Sequence, residues 1–204
     1  DDWGSAPDPD LLVAETSRVG GFRLNEGSGD AAVLTPLAPG SYTARIFDPA
    51  GGQGVALAEF YDRTLASAAD PYTRAINIST RGRVGRDADV LIAGFVITGS
   101  VPKQVLVRGV GPGIARFGIG DYLVDPHIRV VHDGATVATN DDWAYSSQGG
   151  VVAAAARATG AFRLDPESRD AALVATLSPG SYTVVLSGAD GGEGVAIVKV
   201  YDME

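Results

Sequence analysis

Leu177-Ser178-Pro179-Gly180-Ser181-Tyr182-Thr183 is a turn that feeds a strand. Pro179 presets its own backbone angle and Gly180 tolerates positive φ, so the pair can reverse the chain. Tyr182 lies two residues past the glycine. That spacing suits a tyrosine corner, in which the phenol hydroxyl bonds back to nearby backbone and pins a Greek-key crossover. The other reading of Tyr182 is a ring on which a ligand stacks. The same device stands 140 residues earlier as Leu37-Ala38-Pro39-Gly40-Ser41-Tyr42-Thr43, with Tyr42 in the place of Tyr182.

Outward from these turns the repetition continues. Asp1-Asp2-Trp3 recurs as Asp141-Asp142-Trp143, Phe22-Arg23-Leu24 as Phe162-Arg163-Leu164, and Asp30-Ala31-Ala32 as Asp170-Ala171-Ala172. Gly54-Val55-Ala56 recurs as Gly194-Val195-Ala196, and Tyr61-Asp62 as Tyr201-Asp202, all at the same offset without a gap. This is a duplicated segment, since a solenoid repeats every 20–50 residues or so. Residues 1–62 form a first A segment, 63–140 a single B segment, and 141–204 a second A segment that makes one complete unit with B. The first A then lacks a B of its own. Upstream sequence completes it, or it folds alone, or it packs on another chain. A half-sandwich exposes sheet edge and apolar face, so self-association through this segment is the expectation.

The periodicity within each segment is that of strands. In B, Ile76, Ile78 and Thr80 alternate with small or polar residues, and Arg81–Asp89 follows as a polar turn. Val90–Ile97 is a nearly continuous apolar run of strand length, rich in β-branched residues, which favours a buried strand over a helix. Gln104–Arg108 is another strand. His127–His132 and Ala135–Thr139 flank Asp133-Gly134, the strongest hairpin signal in the chain, because both turn residues tolerate positive φ. Each A segment predicts one short helix. Pro9 opens the first and Gly20 closes it, while Val151–Ala158 forms the second with Gly160 past its end. Three strands follow at Ala31–Thr35, Tyr42–Phe47 and Val55–Tyr61, with equivalents in the second copy. The fold class is all-β: an antiparallel β-sandwich, Greek-key or jelly-roll-like, with one short helix per repeat.

Composition narrows the function. Of 204 residues, 45 % are hydrophobic and 20 % charged, which suits a folded domain. The formal net charge is −9, so a nucleic acid is not an expected partner. No cysteine is present, which excludes thiol catalysis, disulfides and cysteine-ligated zinc. No apolar run is long enough to predict a membrane-spanning helix. His127 and His132 are the only histidines, and five residues apart on a strand they face opposite sides. No Gly-x-Ser-x-Gly elbow occurs. Gly109-Val110-Gly111-Pro112-Gly113 lacks the spacing and βαβ context of a phosphate loop and reads as a structural turn. The chain is expected to be non-catalytic.

The candidate sites are few. Asn140, Asp141 and Asp142 place hard oxygens in one turn, and Asp190 or Glu193 in the nearby Gly-rich turn can add another, a donor set for Ca2+. The alternative is an Asx-turn at a strand end. Trp3 and Trp143 stand beside the acidic pairs. Exposed, they would stack on sugar rings and bind glycans; buried, they would plug one end of the sandwich. Arg81, Arg83 and Arg86, with Lys103 and Arg108 expected nearby, form a basic cluster that is either a solvated turn or a contact for acidic groups.

The order of these motifs resembles a known family. A strand pair around Asp133-Gly134 leads to Thr139-Asn140-Asp141-Asp142. Leu-x-Pro-Gly-x-Tyr-Thr, a Gly-rich turn and a last apolar strand follow. This pattern, over His127–Tyr201 and again over Asp1–Tyr61, resembles the bacterial pre-peptidase C-terminal domain, a β-sandwich of secreted enzymes and surface proteins. The resemblance implies export to the cell surface or medium, a non-catalytic role, and calcium near the Asn-Asp-Asp turn. The first copy departs from it, because the Asn and the Asp-Gly hairpin have no equivalent ahead of Asp1. The function expected is that of an extracellular structural or adhesive β-repeat protein, such as a filament or surface-layer subunit, with a carbohydrate-binding accessory module of a secreted hydrolase as the alternative.

Overall fold

Asp133 and Gly134 take φ of 48° and 77°, the two positive angles that a tight turn between right-twisted strands requires. The turn joins β4 (Pro126–His132) to β5 (Ala135–Asn140). Before it come β1 (Asn77–Val84), β2 (Leu91–Ile97) and β3 (Lys103–Val110), and after it β6 (Ala171–Leu177), β7 (Gly180–Gly188) and β8 (Gly194–Asp202). Among the described residues two short helices, α1 (Pro9–Arg18) and α2 (Gly149–Ala158), complete the regular structure besides 3-10 turns. The computed structural model describes residues 2–52, 54–62 and 75–203. Asp1 of the first Asp-Asp-Trp element and the first residues of segment B, 63–74, lie outside the described residues. The chain divides into two units, Asp1–Ala75 and Ile76–Glu204.

The second unit is a sandwich of two four-stranded antiparallel sheets, ordered β1-β8-β3-β6 and β2-β7-β4-β5. The A strands β6, β7 and β8 never pair with one another. β8 lies between β1 and β3, β7 between β2 and β4, and β6 beside β3. Every ladder hydrogen bond of the A segment is therefore made to segment B.

Side chains from both inner faces fill the space between the sheets. Val105 and Val107 of β3, Leu173 of β6, Tyr182, Val184 and Leu186 of β7, and Val198 and Val200 of β8 meet there. Each fully buried Val or Leu contributes about 1.5–3 kcal/mol. A second core lies on the outer face of the first sheet. There Leu106 and Val110 pack with Val152 and Ala155 of α2, Trp143, Leu164 and Ile114. β3 is thus covered on both faces, which accounts for its run of apolar residues.

Two expectations for segment B are corrected. β1 continues through the predicted turn to Val84, because Arg81 and Arg83 pair with Ile197 and Val195 of β8; only residues 85–89 turn. β2 is not buried throughout; its burial alternates. Ala93 and Ile97 point inward, whereas Ile92 and Val96 are 56 % and 65 % exposed, since within this unit no element covers the outer face of the second sheet.

In the first unit the helix and its closure match the copy, while its start differs, since Gln148 ahead of α2 makes no side-chain cap. Asp8 accepts from the Leu11 amide at the start of α1, and Pro9 occupies the first turn. At the end, Gly20 (φ 75°) lets the amides of Gly20 and Gly21 reach the carbonyls of Ser17 and Thr16. Gly160 and Ala161 repeat that closure on Arg157 and Ala156 after α2. The three strands expected at 31–35, 42–47 and 55–61 do not form: no residue of the described part of this unit is in a strand.

Candidate functional site

The acidic turn follows β5. Asn140 Oδ1 accepts the Ala172 amide at 2.8 Å, which ties the end of β5 to β6, and its Nδ2 donates to the Asp142 carbonyl at 3.5 Å. Asp141 Oδ1 accepts the Asp142 amide at 3.0 Å. Asp142 Oδ1 is buried and without a hydrogen-bond partner. Burial raises the pKa of Asp142, with Asp125 and Asp141 adding to the effect and Arg169 opposing it. Arg169 forms an ion pair with Asp125, and the fields of Asp142 and Asp190 also act on it. Glu193 pairs with Arg86 instead. The cation in this group of carboxylates is thus an arginine, and neither Asp125 nor Arg169 carried a sequence signal. Among the described residues no group of three or more His, Asp and Glu side chains is arranged to hold a metal ion.

Both tryptophans are buried, at 8 % and 7 % exposure. Trp3 Nε1 donates to the Asn25 carbonyl at 3.0 Å and Trp143 Nε1 to the Asp165 carbonyl at 3.2 Å. Neither ring offers a free face for a sugar, and Trp143 packs in the core on the outer face of the first sheet.

Both tyrosines bond back to the fourth carbonyl upstream at 2.8 Å, Tyr42 to Ala38 and Tyr182 to Ser178. Tyr182 is buried and stacks between Phe95 (centroids 5.4 Å apart) and His132 (4.6 Å). His132 Nδ1 donates to the Ser181 carbonyl at 2.9 Å. Thr139 gives its hydroxyl proton to the Ile128 carbonyl, so His127 Nε2 is the donor in its 2.8 Å bond to Thr139 Oγ1. The two histidines thus serve separate strand contacts.

The glycine loop after β3 has an internal occupant. Asp170 is fully buried, and its Oδ1 accepts the amides of Gly111 (2.9 Å) and Gly113 (3.1 Å) while Oδ2 accepts from Ser168 Oγ (2.7 Å). A carboxylate of the chain fills the place that a bound anion would need. The basic cluster is likewise spent in part: Arg83 pairs with Asp121 at 3.0 Å and Arg86 with Glu193.

Arg108, expected beside the basic cluster, is instead fully buried on the outer face of β3. Its Nη2 donates to the Phe162 carbonyl at 2.8 Å, and its guanidinium lies 4.4 Å from the Phe162 ring centre. Nε and Nη1 have no hydrogen-bond partner. Burial pushes its pKa down, and Tyr201 and Asp170 pull it back. Lys199 also approaches the Phe162 ring, at 5.3 Å.

A groove of about 460 Å³ runs between the edge strands β5 and β6, lined by Val137, Ala138, Gln148, Val174, Thr176 and Tyr182 among others. Gln148 Oε1 accepts the Val174 amide at 3.1 Å and so covers part of the open β6 edge.

No family model and no curated protein matches the chain. Among solved structures it is similar to the pre-peptidase C-terminal domain of a collagenase from Bacillus anthracis, with 13 % identity over 61 % of this chain and 89 % of that one and a TM-score of 0.36. A family GH115 4-O-methyl-α-glucuronidase specific for decorated arabinogalactans matches at 14 % identity over 70 % of this chain and 20 % of that one, with a TM-score of 0.32. A family 35 carbohydrate-binding module from Clostridium thermocellum matches at 14 % identity over 60 % and 98 %, with a TM-score of 0.25. No residue role is carried over from any of them.

Proposed function

We propose that this chain is a non-catalytic, extracellular structural or adhesive protein whose working unit is a B segment followed by an A segment. The observation that supports this reading is the use to which the buried polar groups are put. Asp170 holds the glycine loop, Asn140 ties β5 to β6, and Tyr182 pins the turn ahead of β7. Groups of these types would carry chemistry in an enzyme pocket; here they bind backbone. Incubation with polysaccharide and protein substrates tests the reading. The expected outcome is no product release. Release that one Asp→Asn or Glu→Gln substitution abolishes would overturn it.

A second reading is favoured by the β5–β6 groove, whose volume falls in the range of small-ligand sites. In this reading the unit is a carbohydrate-binding accessory module, and Gln148, Thr176 and Ser178 would meet sugar hydroxyls. Retention on insoluble polysaccharide, lost on Thr176→Arg, would support it. Retention that Thr176→Arg leaves unchanged would remove the groove from consideration.

A further inference from the structure

The first A segment carries the whole A pattern without the strands that the second copy forms. Its apolar positions are exposed where their equivalents are buried. Val33 is 83 % exposed and Leu173 4 %; Ile46 is 57 % exposed and Leu186 fully buried. Phe22, the equivalent of Phe162, is 67 % exposed, and Asp30, the equivalent of Asp170, bonds only Ser28 Oγ where Asp170 also holds two amides of segment B. The second copy identifies what covers such a surface. Its strands pair only with B strands, so an A segment has no means of closing a sheet on its own.

We infer that the first A segment is a docking surface for a second B-type segment, one that this chain's residues 76–140 cannot supply. The strands of residues 76–140 are already in sheets with those of the second A segment. Exchange of that B between identical copies completes one A only by stripping another. Edge pairing of this kind takes its affinity from main-chain hydrogen bonds and its register from alternate side chains. The second unit sets that register. Val33 would lie opposite the Val107 position of the incoming B, Tyr42 opposite Phe95, and Leu57 between Arg81 and Val110, as Leu173, Tyr182 and Ile197 do. Asp30 would accept the amides at the Gly111 and Gly113 positions, and Phe22 would lie against the Arg108 position.

This inference rests on the B–A unit of the proposed function. Its test is separate, because neither adhesion nor glycan retention enters it. Amide hydrogen exchange is measured on the 204-residue chain and on the same chain with a second copy of residues 75–140 fused ahead of Asp1. A further variant carries that copy after Glu204 on a Gly/Ser linker, in case the first fusion does not fold. The expected result is that amides at 31–35, 42–47 and 55–61 exchange freely in the chain and slow at least about 100-fold in either fusion. Asp30→Ala should weaken that protection in the fusion and leave 171–202 unchanged. Protection of 31–61 in the unfused chain, as a monomer or on self-association at high concentration, would overturn the inference. Free exchange there in both fusions, with 171–202 protected, would overturn it too.

Discussion

Residues 2–62 and 142–202 run in the same frame, and a set of their short-range hydrogen bonds coincides. Trp3 N bonds the Asp30 carbonyl as Trp143 N bonds that of Asp170, at 2.8 and 3.0 Å. Ser28 Oγ bonds Asp30 as Ser168 Oγ bonds Asp170, both at 2.7 Å. Both tyrosine corners close, and both helices end on a left-handed glycine. Past Asp30 and Asp170 the copies part: one continues as three strands and the other as none. The groups that coincide find their partners within one A segment. The groups that differ need β1, β2, β3 or β4. A cap or a corner is a local structure, whereas a strand is a relation to another part of the chain.

Substitutions at matched positions can break this comparison. The largest effect is expected at Leu186, fully buried between the sheets. Leu186→Ala should cost about 2–5 kcal/mol in urea denaturation, whereas Ile46→Ala, at the exposed equivalent, should stay within about 0.5 kcal/mol. Equal losses would mean that the first copy has a core of its own.

Asp170→Ala comes next. It orphans the buried amides of Gly111 and Gly113, at about 1–3 kcal/mol each. Asp30→Ala in the unfused chain should be near neutral, since it loses one exposed bond to Ser28. Thermal unfolding of the pair checks this, and a large loss at Asp30 would contradict the open state of the first copy.

Tyr182→Phe should cost about 0.5–1.5 kcal/mol, because the Ser178 carbonyl loses its partner on a part-buried bond. Tyr42→Phe removes the same bond from an exposed corner and should cost less.

The smallest effect is a pH dependence at Asp142. Its carboxyl holds a proton more tightly folded than unfolded, since burial raises its pKa. Ionisation therefore opposes folding, and the penalty is present in full above the folded pKa and fades as pH falls through the carboxylate range. Asp142→Asn should raise the melting temperature at pH 7, and the gain should vanish toward pH 3. A gain that persists at low pH would assign the effect to packing.

Much of the unit was legible where one residue type fits one backbone state. Asp133-Gly134, Gly160 and the Pro179-Gly180 turn stand where those residues are needed. Val90–Ile97 misled because an apolar run of strand length does not say whether a second layer covers it, and nothing in this unit covers Ile92 and Val96. The partners of Arg108 and Arg169 were invisible because an arginine in a strand or a loop carries no sign that Phe162 or Asp125 will reach it. The acidic turn was legible as a cluster of oxygens. Which partners it takes was not, since Asn140 reaches the Ala172 amide on another strand and Asp141 the neighbouring Asp142 amide.

From the residues alone one could read the duplication, the fold class, the helix ends, the hairpin and both tyrosine corners, because each depends on a few neighbouring dihedral angles or on a pattern of period 2. The insertion of A strands between B strands in both sheets came from the folded chain, as did the burial of Trp3 and Trp143 and the capture of the glycine loop by Asp170. So did the difference between two nearly matched segments. Pairing energy belongs to two strands together, and a residue's own identity records only its half of the contact.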